Sequence, residues 1–183
     1  IAQELKDYLV RISPKQEKIV KLHKGETPIF QKYNVTKQIK GAFGKNVTIK
    51  NGTYLVIEHT EALHVIDVNS GKKVDAKKDQ EENALEVNIE AAKEIARQLR
   101  LRDMGGIIVV DFIDLKLEKN RKLLFESLKQ AMSDDKAKHN ILPPTKFGLI
   151  QITRQRVRPA LTIETKEKCP MCSGDGKIDS SLL

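Results

Sequence analysis

Residues 107–115 read IIVVDFIDL. An almost unbroken β-branched run of this kind predicts a strand buried on both faces, since a strand with one wet side alternates apolar and polar residues. Gly105-Gly106 immediately before it predicts the stop of a helix over about 83–103. In that helix Leu85, Ile89, Ala92, Ala96 and Leu99 recur at helical spacing and form an apolar stripe. A second helix is predicted over 118–133, with Leu124, Leu128 and Ala131 facing inward. A buried strand between two amphipathic helices requires a layered α/β structure.

Further upstream, VTIK (47–50) and TYLVIE (53–58) flank Asn51-Gly52, a strong signal for a β-hairpin. A strand over 62–69 follows, then a lysine- and acid-rich loop over 71–82 with no apolar pattern. Downstream, FGLIQITRQRV (147–157) predicts another strand. The order is therefore hairpin, strand, helix, strand, helix, strand: a mixed α/β sheet with flanking helices. Towards the N-terminus, Leu5, Leu9 and Ile12 share one helical face in IAQELKDYLVRI (1–12). A short strand near 19–22 and a helix around 33–43 complete the reading. The chain opens on Ile1, and its last residues, KIDSSLL, read as the start of a further element, so a fragment is expected.

Net charge is +8 and the pI is near 9.4, a balance that favours a polyanionic partner, nucleic acid first. No apolar run approaches the length of a membrane span and no signal peptide is visible, so no membrane role is expected. There is no P-loop and no G-x-G-x-x-G fingerprint. The chain has no Trp and few aromatic residues, so recognition of bases by stacking is not expected. His23, His59, His64 and His139 have no spacing that suggests a metal site or a triad.

Three acids stand amid apolar neighbours: Asp67 in HVIDVNSGKK (64–73), and Asp111 and Asp114 in the run quoted first. A buried ionised carboxylate is costly unless paired or metal-bound. Two of them at strand ends would hold one Mg²⁺, which prefers oxygen ligands and keeps several waters. Residues i and i+2 of a strand share a face, so the Asn69 amide can bond the Asp67 carboxylate or a substrate oxygen. Asp111 and Asp114 have opposite parity, so only one of them joins that face. The plainer alternative is that these acids cap turns or pair with Lys or Arg.

Arg154, Arg156 and Arg158 alternate, which predicts one strand face presenting three guanidiniums suited to phosphate. Arg97, Arg100 and Arg102 cluster near a helix C-terminus, where cations also complement the helix dipole. The two cysteines occur in CPMCSGDGK (169–177), a zinc-knuckle pattern with following glycines that let the backbone fold around a metal. A structural zinc takes four ligands and this segment supplies two, Cys169 and Cys172, so two copies of the chain would complete one site. The rival reading is a redox dithiol, which usually opens a helix after a strand.

Four segments, TEALHVIDVNSGK, NIEAAKEIARQLRLRDMGGIIVVDFIDL, KFGLIQITRQRVRPAL and CPMCSGDGK, closely resemble the ribonuclease E/G family of bacterial endoribonucleases, in the right order and across about 25–177. The resemblance implies a deoxyribonuclease-I-like catalytic subdomain over 46–165. It implies that Asp67 and Asp111 bind the catalytic Mg²⁺, that Asn69 orients the site, and that Asp114 is not a ligand. It implies a zinc link over 166–177, with Cys169 and Cys172 joining two protomers. Residues 1–45 would be the end of a ribonuclease-H-like subdomain, and 178–183 the start of a small C-terminal domain. The family's S1 and 5′-sensor segments would lie outside this chain. Lys138 stands where the family usually has arginine, and bidentate phosphate contact is weaker there.

The expected function is Mg²⁺-dependent hydrolysis of single-stranded RNA to 5′-phosphate and 3′-hydroxyl ends, in RNA processing and decay in a bacterial cytoplasm. The expected assembly is a zinc-linked homodimer or a higher homo-oligomer. RNA contacts are expected from Arg154, Arg156, Arg158 and Lys138. The competing classes are a non-catalytic RNA-binding or zinc-linked assembly module and a deoxyribonuclease.

Overall fold

A computed structural model describes residues 1–49, 52–71, 79–161 and 163. The predicted zinc link, both cysteines and residues 178–183 lie outside these. The chain forms two compact units, Ile1–Ile39 and Lys40–Leu183.

The first unit is helical. Helix α1 (Ala2–Ile12) forms as its periodicity predicts, yet none of its residues is buried among the described residues. The strand expected near 19–22 does not form. Pro14 instead opens a 3₁₀ helix, Pro14–Ile19, where its missing N–H and fixed φ suit the first turn. The helix expected around 33–43 is preceded by a short helix α2 (Ile29–Lys32), and α3 (Val35–Phe43) begins after Asn34, whose φ of 57° breaks the path.

The second unit is built on a six-stranded mixed sheet. Its strands are β1 (Asn46–Thr48), β2 (Tyr54–His59), β3 (His64–Asn69), β4 (Gly106–Asp111), β5 (His139–Ile141) and β6 (Ile150–Arg154), in the order β1-β2-β3-β4-β6-β5. β1 and β2 form the predicted hairpin, with Ile49 N–H bonded to the Thr53 carbonyl at 2.7 Å. Only β3 and β4 run parallel. They are joined by α4 (Gln80–Leu101), as a parallel pair requires a crossover. Helix α5 (Glu118–Met132) follows β4. The three-residue edge strand β5 is too short to leave a periodic signal, and the sequence reading missed it.

Alternate residues of each strand point into one core. Leu55, Ile57, Ile66, Val68, Ile108, Val110, Ile150 and Ile152 are buried against Ala91, Ala92, Ile95, Ala96 and Leu99 of α4 and Leu124, Leu128 and Met132 of α5. Both helices thus cover the same face. β4 is therefore not buried on both sides as predicted: Ile107 is 50% exposed, because among the described residues no layer lies over the other face. The apolar face of α4 is as expected at Ala92, Ala96 and Leu99 and differs only in the first half of the helix. Ala84 and Asn88 are buried where Leu85 and Ile89 were expected, and the small alanines let the helix approach the sheet closely.

The stop of α4 differs too. The helix ends at Leu101, before the glycines, because Asp103 takes the left-handed conformation (φ 50°) that Asp tolerates. Met104 N–H bonds the Leu99 carbonyl at 3.0 Å and Asp103 N–H that of Arg100 at 3.3 Å, a Schellman closure.

Candidate active site

The uncovered face of the sheet carries the acids. Asp67 of β3 and Asp111 of β4 are direct partners in the parallel register. They have the parity opposite to the buried Ile66, Val68 and Val110, so both project from the uncovered face. Neighbouring strands lie about 4.8 Å apart, which sets two like charges side by side. Partial burial, then the charge of Asp67 and that of Asp114, push the Asp111 carboxyl above the usual range. Like charges directly opposite each other in a sheet are destabilising, and a cation between them reverses the sign.

Asn69 supports this arrangement. Its Nδ2 donates to Asp67 Oδ2 at 2.8 Å, the i, i+2 contact that strand periodicity predicts. Across the β2–β3 pair, Tyr54 lies opposite Asn69 and Val56 opposite Asp67. Val56 offers no counter-charge, so none comes to Asp67 from that partner position. Just beyond Asn69, Gly71 has φ of 66°, and a Cβ there would lie 2.2 Å from the Gly52 carbonyl oxygen. The end of β3 therefore needs a glycine to pass the β1–β2 turn.

The donor set suits a hard divalent cation: two carboxylates, with an amide fixing one of them. Among the described residues no cluster of three or more His, Cys, Asp or Glu surrounds one point; Mg²⁺ itself is usually held by one or two carboxylates together with several waters. Asp114 lies three residues past the end of β4 and is not part of this face; it approaches Gly148, whose Cβ would sit 3.5 Å from its Oδ1.

Two residues that the sequence reading missed hold the chain that leaves Asp111. Asn88, fully buried in α4, donates from Nδ2 to the Ile113 carbonyl (2.7 Å) and accepts at Oδ1 from Ile113 N–H (3.0 Å). Glu81 accepts from Lys116 N–H, Leu117 N–H and Asn120 Nδ2 at 2.8–3.1 Å, which satisfies the entry to α5. The same bonds hold the Glu81 carboxyl below its usual range. The available signal was an asparagine at helical spacing between Ala84 and Ala92, a polar residue in an apolar stripe.

The basic residues are placed otherwise than predicted. β6 ends at Arg154, so no strand face presents three guanidiniums. Arg154 points to the helix-covered side, 7% exposed, at the Gly106 end of β4, the far end from Asp111. It pairs with Asp135 (2.7 Å) and Asp103 (3.2 Å) and donates to the Met104 carbonyl (2.9 Å), so it is unavailable to a phosphate. Arg158 shares Asp103 at 2.9 Å but is exposed. Arg156 is exposed and lies over Gly105 and Gly106, where added Cβ atoms would meet its side chain. Lys138 is exposed and precedes β5 at that same far end of the sheet. Arg102, from the other predicted basic cluster, is buried and donates to Gln98 Oε1 and to the carbonyls of Ala42 and Gly44. His59 and His64 bond each other through Nδ1 at 2.6 Å on the helix-covered side and do not approach Asp67.

The profile of the Ribonuclease E/G family matches residues 1–157. Over 178 residues the chain is 42% identical to a chloroplastic ribonuclease E/G-like protein of Arabidopsis thaliana, covering 97% of this chain and 18% of that protein. It is 43% identical over 159 residues to ribonuclease E of Escherichia coli strain K12, covering 87% of this chain and 15% of that protein. It is 39% identical over 175 residues to ribonuclease G of Haemophilus influenzae, covering 96% of this chain and 35% of that protein. The chain thus spans about a third or less of the length of these relatives.

Proposed function

The chain belongs to the ribonuclease E/G family, and on that premise we propose that it carries the metal-binding half of an endoribonuclease active site. The substrate is single-stranded RNA, and the products carry 5′-phosphate and 3′-hydroxyl ends, in RNA processing and decay. The observation that supports this reading is the register pairing of Asp67 with Asp111 on an uncovered sheet face, with Asn69 bonded to Asp67.

Asp67 and Asp111 would hold Mg²⁺. When bound there, the ion supplies an activated water and stabilises charge on a scissile phosphate. Asn69 holds Asp67 through Oδ2, which would leave the other carboxylate oxygen of Asp67 to help hold the ion. The β3–β4 pairing keeps both acids on rigid strands, which preserves their spacing without a loop rearrangement. Asn88 and Glu81 hold the segment that follows Asp111.

The finer fold reading is a deoxyribonuclease-I-like subdomain over 46–165, with the end of a ribonuclease-H-like subdomain in 1–45. Beyond the described residues, Cys169 and Cys172 would contribute half of a Cys₄ zinc site that joins two copies of the chain. Arg156, Arg158 and Lys138 are the exposed cations left from the predicted RNA-binding set. The cytoplasm of a bacterium is the proposed setting, and no helix among the described residues is long and apolar enough to cross a membrane.

The test is Asp111→Asn in the full-length protein, assayed on a single-stranded RNA and on DNA of matched sequence. Loss of Mg²⁺-dependent RNA cleavage, with the variant still folded, supports the assignment. Persistent cleavage rejects it, and comparable cutting of the DNA by the unaltered protein points to a deoxyribonuclease.

A further inference from the structure

Past the Asp111 end of β4 lies a cavity of about 680 Å³, lined by none of Asp67, Asn69 and Asp111. Phe112 and Ile113, the two residues after Asp111, line it together with Asp114, Arg121, Lys146 and Phe147. The turn that brings Lys146 and Phe147 there leads directly into β6, whose first residue, Ile150, pairs with Val110. The turn is therefore fixed next to the strand end that carries Asp111.

Phe147 is 85% exposed. This is not the exposure of a loosely held loop. Thr145 N–H bonds the Leu149 carbonyl at 2.9 Å, and Gly148 N–H bonds the Thr145 carbonyl at 3.0 Å. Thr145 Oγ1 accepts from Phe147 N–H at 3.3 Å and Leu149 N–H at 3.2 Å. Gly148 has φ of 80°, a conformation that other residues rarely adopt. A pinned turn thus presents an aromatic ring to solvent, with a lysine before it. Arg121 is committed to the turn's neighbour: its Nη1 donates to the carbonyls of Leu115 and Lys116, which holds the cavity wall. A rigid exposed ring next to a cation is the composition of a single-strand binding subsite, because every base has a π-face and every nucleotide a phosphate.

We propose that this turn is a nucleotide subsite: Phe147 stacks on an unpaired base close to the scissile position, and Lys146 contacts a phosphate of the same strand. The proposal rests on the reading of Asp67 and Asp111 as the reacting site for single-stranded RNA, and it adds a contact that positions that strand. It also revises the expectation that a chain so poor in aromatics would not use stacking.

The experiment uses the full-length protein in Mg²⁺-free buffer and a single-stranded RNA oligonucleotide with 2-aminopurine stepped along it. Stacking on Phe147 quenches the probe at one position. Phe147→Ala removes that quench and weakens binding by about fivefold to a hundredfold, the range of one base–aromatic stack. Phe147→Trp restores both. Lys146→Ala lowers the slope of log affinity against log salt by about 0.7, one phosphate's worth on a single strand. Asp111→Asn keeps the quench in that buffer, and in a parallel assay with Mg²⁺ it no longer cleaves. If Asp111→Asn still cleaves but the quench depends on Phe147, the metal assignment fails and the subsite stands. If Phe147→Ala binds and quenches within twofold of the unaltered protein, or changes only the oligomeric state, the subsite is overturned.

Discussion

Asn88 pairs with both backbone groups of Ile113, donating to its carbonyl at 2.7 Å and accepting from its N–H at 3.0 Å. A side-chain amide has the same donor and acceptor spacing as a peptide, so it continues for one residue the ladder that β4 has just left. Asn88→Ala removes both bonds and leaves a partly buried peptide without partners, at a cost of about 2–4 kcal/mol. Urea denaturation measures that loss. Below the unfolding transition the variant shows reduced kcat at nearly unchanged KM, because the displaced segment begins two residues after Asp111. Asn88→Asp is at least as damaging as Asn88→Ala, because it sets a buried carboxylate oxygen against the Ile113 carbonyl.

The opposed carboxylates make a prediction for the metal-free protein. Asp111→Asn relieves the repulsion with Asp67 and raises metal-free stability by up to about 1 kcal/mol, while cleavage disappears. Mg²⁺ raises the Tm of the unaltered protein and leaves that of the variant almost unmoved. A variant less stable than its parent without metal contradicts the reading of Asp67 and Asp111 as a strained pair.

Arg154 is predicted to matter for stability and not for RNA. Its side chain and that of Asp135 are 5% and 2% exposed, so Arg154→Ala strands a buried carboxylate and costs about 3–5 kcal/mol. Binding of RNA by the folded fraction stays the same, whereas a phosphate-contacting arginine would lower the salt slope.

The same pair gives a pH dependence. Burial pushes the Asp135 carboxyl upward, but the Arg154 hydrogen bond, the Ala137 N–H and the charges of Arg154 and His139 together bring it below its ordinary value. A depressed folded pKa stabilises the protein above the unfolded carboxylate value, about 3.9, and that contribution is lost as pH falls through the folded pKa. The stability gap between the unaltered protein and Asp135→Asn is therefore flat near neutrality and narrows below about pH 4, as denaturation at stepped pH shows.

Glycine positions separate strain from space. Gly71→Ala meets the Gly52 carbonyl oxygen at 2.2 Å with φ of 66° and lowers stability by at least about 1–3 kcal/mol. Gly41→Ala, in α3 with nothing within 4 Å of the added Cβ, raises stability by about 0.5–1 kcal/mol. Thermal unfolding of the two variants shows shifts of opposite sign.

The zinc link is checked by composition and mass. If Cys169 and Cys172 form half of a shared site as proposed, the expected outcome is about half a zinc per chain and a dimer that a chelator splits. Elemental analysis with light scattering measures both; a full zinc on a monomer rejects the shared site.

What the sequence determined by itself is what backbone periodicity fixes. Period two puts Asn69 on the face of Asp67, and the structure forms that bond at 2.8 Å. The Asn51-Gly52 signal gave the β1–β2 hairpin, and the apolar stripes gave α4 and α5, because each is a local property of a few residues. Tertiary structure decided the rest. The partnership of Asp67 with Asp111 depends on the parallel register of two strands joined by α4, and that register is set by how the helix seats on the sheet. Arg154 looked like a phosphate ligand in a linear alternation, but β6 ends at that residue and turns its guanidinium inward to Asp103 and Asp135. Asn88 carries no local signal of its role, because its partner, the Ile113 peptide, comes from the chain leaving β4. Periodicity says which way a side chain points; only packing of distant segments says what it meets.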